Sequence, residues 1–155
     1  DVILWIRRVL EKRSQEYYLG WRRKFGDDTI LSVGALASDV ALAMQEYTQM
    51  SGVRPFGVAL LVAGLDAGQG VPRLFKVEPS GRYSAWKAAA IGKGSAEAEG
   101  ILRSEYRKTM SRNHAVRLAL SAILRSTAED VRQEDVEIAF VEGGNVQRLQ
   151  VTDLR

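Results

Sequence analysis

The chain of 155 residues has no cysteine, one histidine and three prolines. The lack of Cys excludes a disulfide framework, a thiolate zinc site and a cysteine nucleophile, and it gives no sign of secretion. Three Pro and fourteen Gly leave no compositional room for a long disordered or collagen-like segment. Long apolar runs are missing as well: no stretch approaches the roughly 18 apolar residues that a membrane span needs. Charge of one sign is scarce, since 22 Lys and Arg against 19 Asp and Glu leave +3 at pH 7. The resulting pI near 9.3 is a mild basic balance rather than a nucleic-acid signature. The opening "DVILWIRRVLEKR" sets a short apolar run before its charges, the reverse of a signal peptide's order. It starts at Asp1 without an initiator Met and already inside an amphipathic pattern, so a cut or processing point is expected there.

What remains is an ordinary globular composition, 46% apolar and 26% charged, of a length that one domain can use to bury a sizeable core. Val2, Ile3, Ile6, Val9, Leu10 and Tyr17 recur at helical spacing, which predicts a helix over residues 2 to about 19, with Gly20 as its C-cap. The basic link "WRRKFGDD" follows. Leu36, Val40, Ala43, Met44 and Tyr47 predict a second helix over 29–49, closed by Ser51 and Gly52. Three strand-like runs come next, "VRPFGVALLVAG", "RLFKVEP" and "RYSAWKAAAIG", separated by turns bearing Gly and Pro that imply antiparallel neighbours. "GVALLVAG" is apolar on both faces, which suits a central strand covered on either side.

Ser95 reads as the N-cap of a helix to about Lys108, with Glu97 and Glu99 in its first turn. Ser111 reads as the cap of another, with Ala115, Leu118, Ala119, Ala122 and Ile123 on one face. "VEIAFV", "EGGN" and "VQRLQV" form a hairpin signal through Gly143 and Gly144. The predicted order, ααβββααββ, segregates helices from strands, as in an α+β layer arrangement without internal repeats.

Few residues suggest chemistry. His114 stands without Cys or a carboxylate cluster at ligand spacing, so it reads as an ordinary residue near a helix start rather than a ligand. No "GxSxG" elbow supports a Ser–His–Asp triad. "AIGKGSAEAEG" passes from strand through Gly92, Lys93 and Gly94 into a helix, the context of an anion site. A phosphate loop, however, needs a Gly five residues before Gly92, where Lys87 stands, so a tight strand-to-helix turn is the better reading. "WRRKF", from Trp21 to Phe25, interleaves bases and aromatics as some RNA-binding segments do, and equally suits a solvated loop or a protein interface. Asp27, Asp28, Asp66, Glu129 and Asp130 fall in turns or at helix ends, where capping accounts for them. No cofactor or metal site is expected.

A series of motifs is more telling. "MQEYTQMSGVRPFGVALLVAGLD", residues 44–66, is followed in register by "RLFKVEPSGRYSAWKAAAIGKG", with "EYYL" upstream and "AVRLALSAIL" and "VEIAFVEGGNVQRLQV" downstream. This string resembles the α-type subunits of the proteasome core particle over essentially the whole chain, and "AWKA", Ala85 to Ala88, resembles most the second α type of the eukaryotic ring. The resemblance implies an N-terminal-nucleophile-hydrolase-like αββα sandwich, residues 1–155 forming a single domain. The family's N-terminal third, with its early strands and top helix, has no counterpart here, so the sandwich is expected to be incomplete, with another chain or a missing upstream segment completing it.

The implied function is that of a non-catalytic, ring-forming structural subunit of the protein-degrading chamber. The family's active members use an N-terminal Thr, where this sequence has Asp1, and no enzyme activity is expected. The implied partners are other proteasome α-type and β-type subunits, in cytoplasm and nucleus, with no membrane. Tyr17, Tyr18 and Arg22 are the candidate inter-subunit contacts, although the two tyrosines equally suit packing inside their own layer. The alternative is a domesticated proteasome-like scaffold in another large assembly, such as an organellar ribosome, with RNA near Arg22, Arg23 and Lys24.

Overall fold

The computed structural model describes residues 32–66, 70–127, 135–142 and 145–149. The expected first helix over 2–19, with Tyr17, Tyr18, Arg22 and the "WRRKF" segment, lies outside the described residues. The described residues group into two compact units that divide between Ala85 and Trp86.

The first unit is one helix on a small sheet. Helix α1, Val33–Gln49, starts where Ser32 turns its hydroxyl onto the Gly34 N–H at 3.2 Å, which satisfies one of the donors that a helix start leaves open. Val33, Ala37, Val40, Ala41 and Met44 recur at steps of three and four and form the buried face. Two of the five are Ala, which lets the helix approach its support closely. The Met50 N–H closes the far end on the Glu46 carbonyl at 3.1 Å.

The buried face of α1 rests on strands β1, Leu60–Asp66, and β2, Val71–Val77. These pair antiparallel from Leu60 opposite Val77 to Asp66 opposite Val71, and β3, Tyr83–Trp86, adds on the other side of β2. Leu60, Val62, Phe75 and Val77 pack with α1, and Val77 is fully buried. The helix comes so close that a Cβ on Gly64 would lie 2.9 Å from Cγ2 of Val33. The β2–β3 turn is held by Gly81 N–H to Glu78 O at 2.9 Å and Glu78 N–H to Arg82 O at 2.8 Å. Gly81 has φ +82, and a Cβ there would sit 2.7 Å from the Ala41 carbonyl oxygen, so both backbone conformation and helix contact require glycine.

Strands β1 and β3 are both shorter than the apolar runs that contain them. The apolar run from Val53 does not become a strand until Leu60, because the ladder with β2 ends at Val77, where the chain turns away at Glu78. Pro55, with no N–H to give, falls in the unpaired part. A Cβ added at Gly57, in the same part, would meet nothing within 4 Å. Among the described residues β1 is an edge strand, not a central one. Its burial alternates: Leu60, Val62 and Gly64 turn towards α1, while Leu61 and Ala63 are exposed. Strand β3 also stops at Trp86 instead of continuing to Gly92.

The second unit pairs two helices. In α2, Ser95–Glu105, Ala98 and Ile101 pack against Leu118 and Ala122 of α3, Arg112–Ser126. The N-cap of α2 is Gly94, left-handed at φ +76 and without a side-chain bond, rather than Ser95. Glu97 lies in the first turn; Glu99 is a turn further on. The helix ends at Glu105, three residues short of the expected Lys108, because Tyr106 is extended and Arg107 folds back to donate to the Ser104 and Tyr106 carbonyls, both at 3.0 Å.

Ser111 caps α3 as anticipated, accepting from the His114 N–H at 3.4 Å. The buried residues of α3 are Val116, Leu118 and Ala122, whereas Ala115, Ala119 and Ile123 are exposed. Apolar or small residues occur all round this helix, so spacing alone does not select its inner face. Strands β4, Ile138–Glu142, and β5, Asn145–Leu149, form the expected hairpin, from Ile138 opposite Leu149 to Glu142 opposite Asn145. Arg112 at the start of α3 lies 4.2 Å from the centre of the Phe140 ring and meets Glu142 at 3.2 Å, joining helix and hairpin.

Candidate functional site

Asp66, the last residue of β1, joins three elements of the first unit. Antiparallel register puts Gly64 opposite Arg73 and Asp66 opposite Val71, so Asp66 and Arg73 are diagonal neighbours on the α1-facing side of the sheet. Asp66 Oδ2 accepts from Arg73 Nε at 2.9 Å, and Oδ1 accepts from the Val33 N–H at 3.0 Å. One carboxylate thus ties the end of β1 to β2 and to the first turn of a helix 33 residues away, where the helix dipole also favours negative charge. The Arg73 bond first, and the Val33 N–H second, hold the Asp66 carboxyl below its ordinary value of 3.8. Capping was anticipated for Asp66 as a local turn effect; the structure makes it a long-range cap. The signal available in the sequence was an Arg seven residues on, across a predicted hairpin.

At the other end of α1, Tyr47 and Phe56 stack obliquely with ring centres 4.6 Å apart, fastening the extended "VRPFG" segment back onto the helix. The outer side of α1 is unlike its buried face. Leu42 and Met50 are more than half exposed, and with Gln45, Glu46 and Gln49 they line an open depression of about 430 Å³. Val53, past the end of α1, is exposed as well. On the far side of the sheet, Leu61 is also open. Helix–sheet contacts of this kind position surfaces rather than reactive groups, and exposed apolar area of this extent suits protein contacts.

Ser111 Oγ and His114 Nδ1 lie 2.9 Å apart, both exposed. Ser111 Oγ also accepts from the His114 N–H, and no carboxylate orients the ring among the described residues, so the pair works as a helix cap and not as a nucleophile with its base. Gly92 and Gly94, at φ +90 and +76, make the strand-to-helix link a tight turn. Among the described residues no group of three or more His, Cys, Asp or Glu is placed to hold a metal ion, and no helix is long and apolar enough to cross a membrane. The sequence reading also missed a small cleft within the second unit, lined by Trp86 and Lys87 together with Leu102, Arg103 and Tyr106.

Comparison with known proteins gives this architecture a context. A family model described as "Proteasome subunit" matches residues 6–141. The chain is 34% identical over 142 residues to the proteasome subunit alpha type-2 of Caenorhabditis elegans, covering 92% of this chain and 61% of that protein. It is 35% identical over 148 residues to the proteasome subunit alpha type-2 of Saccharomyces cerevisiae, covering 96% and 58%. It is 37% identical over 143 residues to the proteasome subunit alpha of Methanopyrus kandleri, covering 92% and 56%. The chain therefore spans a little over half the length of these curated relatives.

Proposed function

Because the chain belongs to the proteasome subunit family, we propose that it is a non-catalytic α-type subunit, a structural part of the ring that encloses a protein-degrading chamber. The observation that carries this reading is similarity to α-type subunits of both eukaryotic and archaeal origin across more than nine-tenths of the chain. Its partners on this reading are other α-type and β-type proteasome subunits, and its compartments are cytoplasm and nucleus.

The finer architecture of the proposal is an N-terminal-nucleophile-hydrolase-like αββα sandwich, with residues 1–155 in one domain. Support comes from α1 covering only one face of the β1–β2–β3 sheet while Leu61 and Ala63 stay exposed on the other. An apolar sheet face and the β1 edge, unpaired among the described residues, both call for cover, and in this reading strands from outside the described residues supply it. The Ser111–His114 pair, committed to capping, supports a non-catalytic role. The scaffold alternative in a ribonucleoprotein finds no support in the relatives named above, all of them proteasome subunits.

Affinity purification of complexes holding this chain tests the reading. Peptide mass spectrometry should recover α-type and β-type proteasome subunits together with it. Their absence, or recovery of ribosomal proteins and RNA in their place, would overturn the proposal. The isolated chain should leave fluorogenic peptides uncleaved; turnover abolished by Ser111→Ala or His114→Ala would contradict the non-catalytic assignment.

A further inference from the structure

The cleft beside α2 has a composition that the ring role does not require. Glu99, Leu102 and Arg103 on one side of α2, with Tyr106 just past its end, stand at steps of three, one and three and together line one wall of the cleft. Trp86 and Lys87 form the facing wall. The volume is about 230 Å³, below the roughly 300–1,000 Å³ typical of small-molecule pockets and suited to a single bulky side chain. Its floor is apolar and aromatic: Leu102 and Tyr106 are half-buried because their inner sides pack on the α2–α3 core, and Trp86 is 36% exposed.

The rim is cationic. Lys87 and Arg103 are exposed and make no hydrogen bond or ion pair among the described residues. Lys108 follows Tyr106 by two residues and is exposed too. Glu99 is the one carboxylate in the lining, and the neighbouring Glu105 is already engaged by Arg125 at 2.7 Å. An aromatic slot with uncommitted cations at its mouth complements a side chain of opposite character: an apolar anchor with carboxylates beside it.

We infer that the Trp86–Arg103 cleft is a docking site for an acidic peptide segment of a partner protein, which inserts one aromatic side chain between Trp86 and Tyr106 and sets flanking carboxylates on Lys87 and Arg103. The aromatic anchor supplies area at little conformational cost, and the carboxylates supply orientation through charge-assisted bonds.

The test is fluorescence anisotropy with the full chain and a fluorescein-labelled heptapeptide that carries three acidic residues on each side of a central phenylalanine. Binding should weaken about tenfold when the phenylalanine is replaced by alanine, and about tenfold again in Arg103→Glu, the size expected for one charge-assisted contact. Lys87→Glu should weaken it independently, which guards against a folding defect in either variant. Arg117→Glu makes the same charge change at an exposed α3 position and should leave the affinity within twofold. The proposal is overturned by no measurable binding, by equal binding of the alanine-centred peptide, or by equal loss in Arg117→Glu. It is also overturned if phosphatidylserine vesicles or polyuridine RNA bind in an Arg103-dependent way while the peptide does not.

Discussion

At the scale of single residues the account rests most on Asp66. Its carboxylate accepts from Arg73 and from the Val33 N–H, and both bonds favour the charged form. The folded state therefore lowers its pKa below the ordinary 3.8, and linkage fixes the sign. The contribution is fully present above the unfolded value and is lost as pH falls through the lower folded value, so the sensitive window lies below about pH 4. Asp66→Asn keeps an acceptor for Val33 but loses the charge facing Arg73. It should lower the melting temperature at pH 7 and remove part of the acid sensitivity, so that wild type and variant converge on acidification. A constant gap down to pH 2 would contradict the assignment. The residue was visible in the sequence as an acid at an element's end. Its partner was not, because the helix start it caps lies 33 positions away and local spacing carries no record of such a contact.

At the scale of elements, α1 was legible in kind from its helical spacing, but of the expected stripe only Val40 and Met44 are buried, Leu36, Ala43 and Tyr47 being half-buried beside the true inner face of Val33, Ala37 and Ala41. Ser32→Ala should cost about 1 kcal/mol in urea unfolding, the usual value of an N-cap side chain. Met44 is 3% exposed among Val40, Ala41 and the sheet, so Met44→Ala should cost about 2–5 kcal/mol. In the β2–β3 turn, Gly81→Ala should cost at least about 1 kcal/mol from the left-handed backbone alone, with a further loss because the new methyl meets Ala41 O and Gln45. The same change at Gly57, which has open space and no positive φ, is the neutral control. Strand β1 was legible in kind but not in extent. Residues 53–59 are as apolar as a strand, yet strand length is decided by the partner, and β2 turns away at Glu78. The inner face of α3 was misread for a related reason: Ala115, Val116, Leu118 and Ala119 all qualify by composition, and only packing against α2 selects among them.

At the scale of the whole molecule, the α+β order was legible through punctuation by Gly and Pro, and the family through a string of motifs in register. The candidate contacts Tyr17, Tyr18 and Arg22 fall outside the described residues and stand as a proposal for the subunit interface. What the described residues add is one physical argument for assembly. Leu42 and Met50 on the outer side of α1, and Leu61 on the far side of the sheet, leave apolar area open, and among the described residues β1 is an edge strand. Such surfaces favour association, and in a ring they are covered by neighbours. A charge introduced on the outer side of α1, Leu42→Glu, should leave the unfolding free energy within about 0.5 kcal/mol of wild type, since the position is exposed. The same variant should reduce recovery of the chain in high-mass complexes; unchanged recovery would remove this surface from the interface. The measurement that bears most directly on the central claim is electron cryomicroscopy of the native complex purified through this chain. The account predicts density for it at one position of a seven-membered α-type ring stacked on a β-type ring. A complex in which the chain occupies no such ring would contradict it.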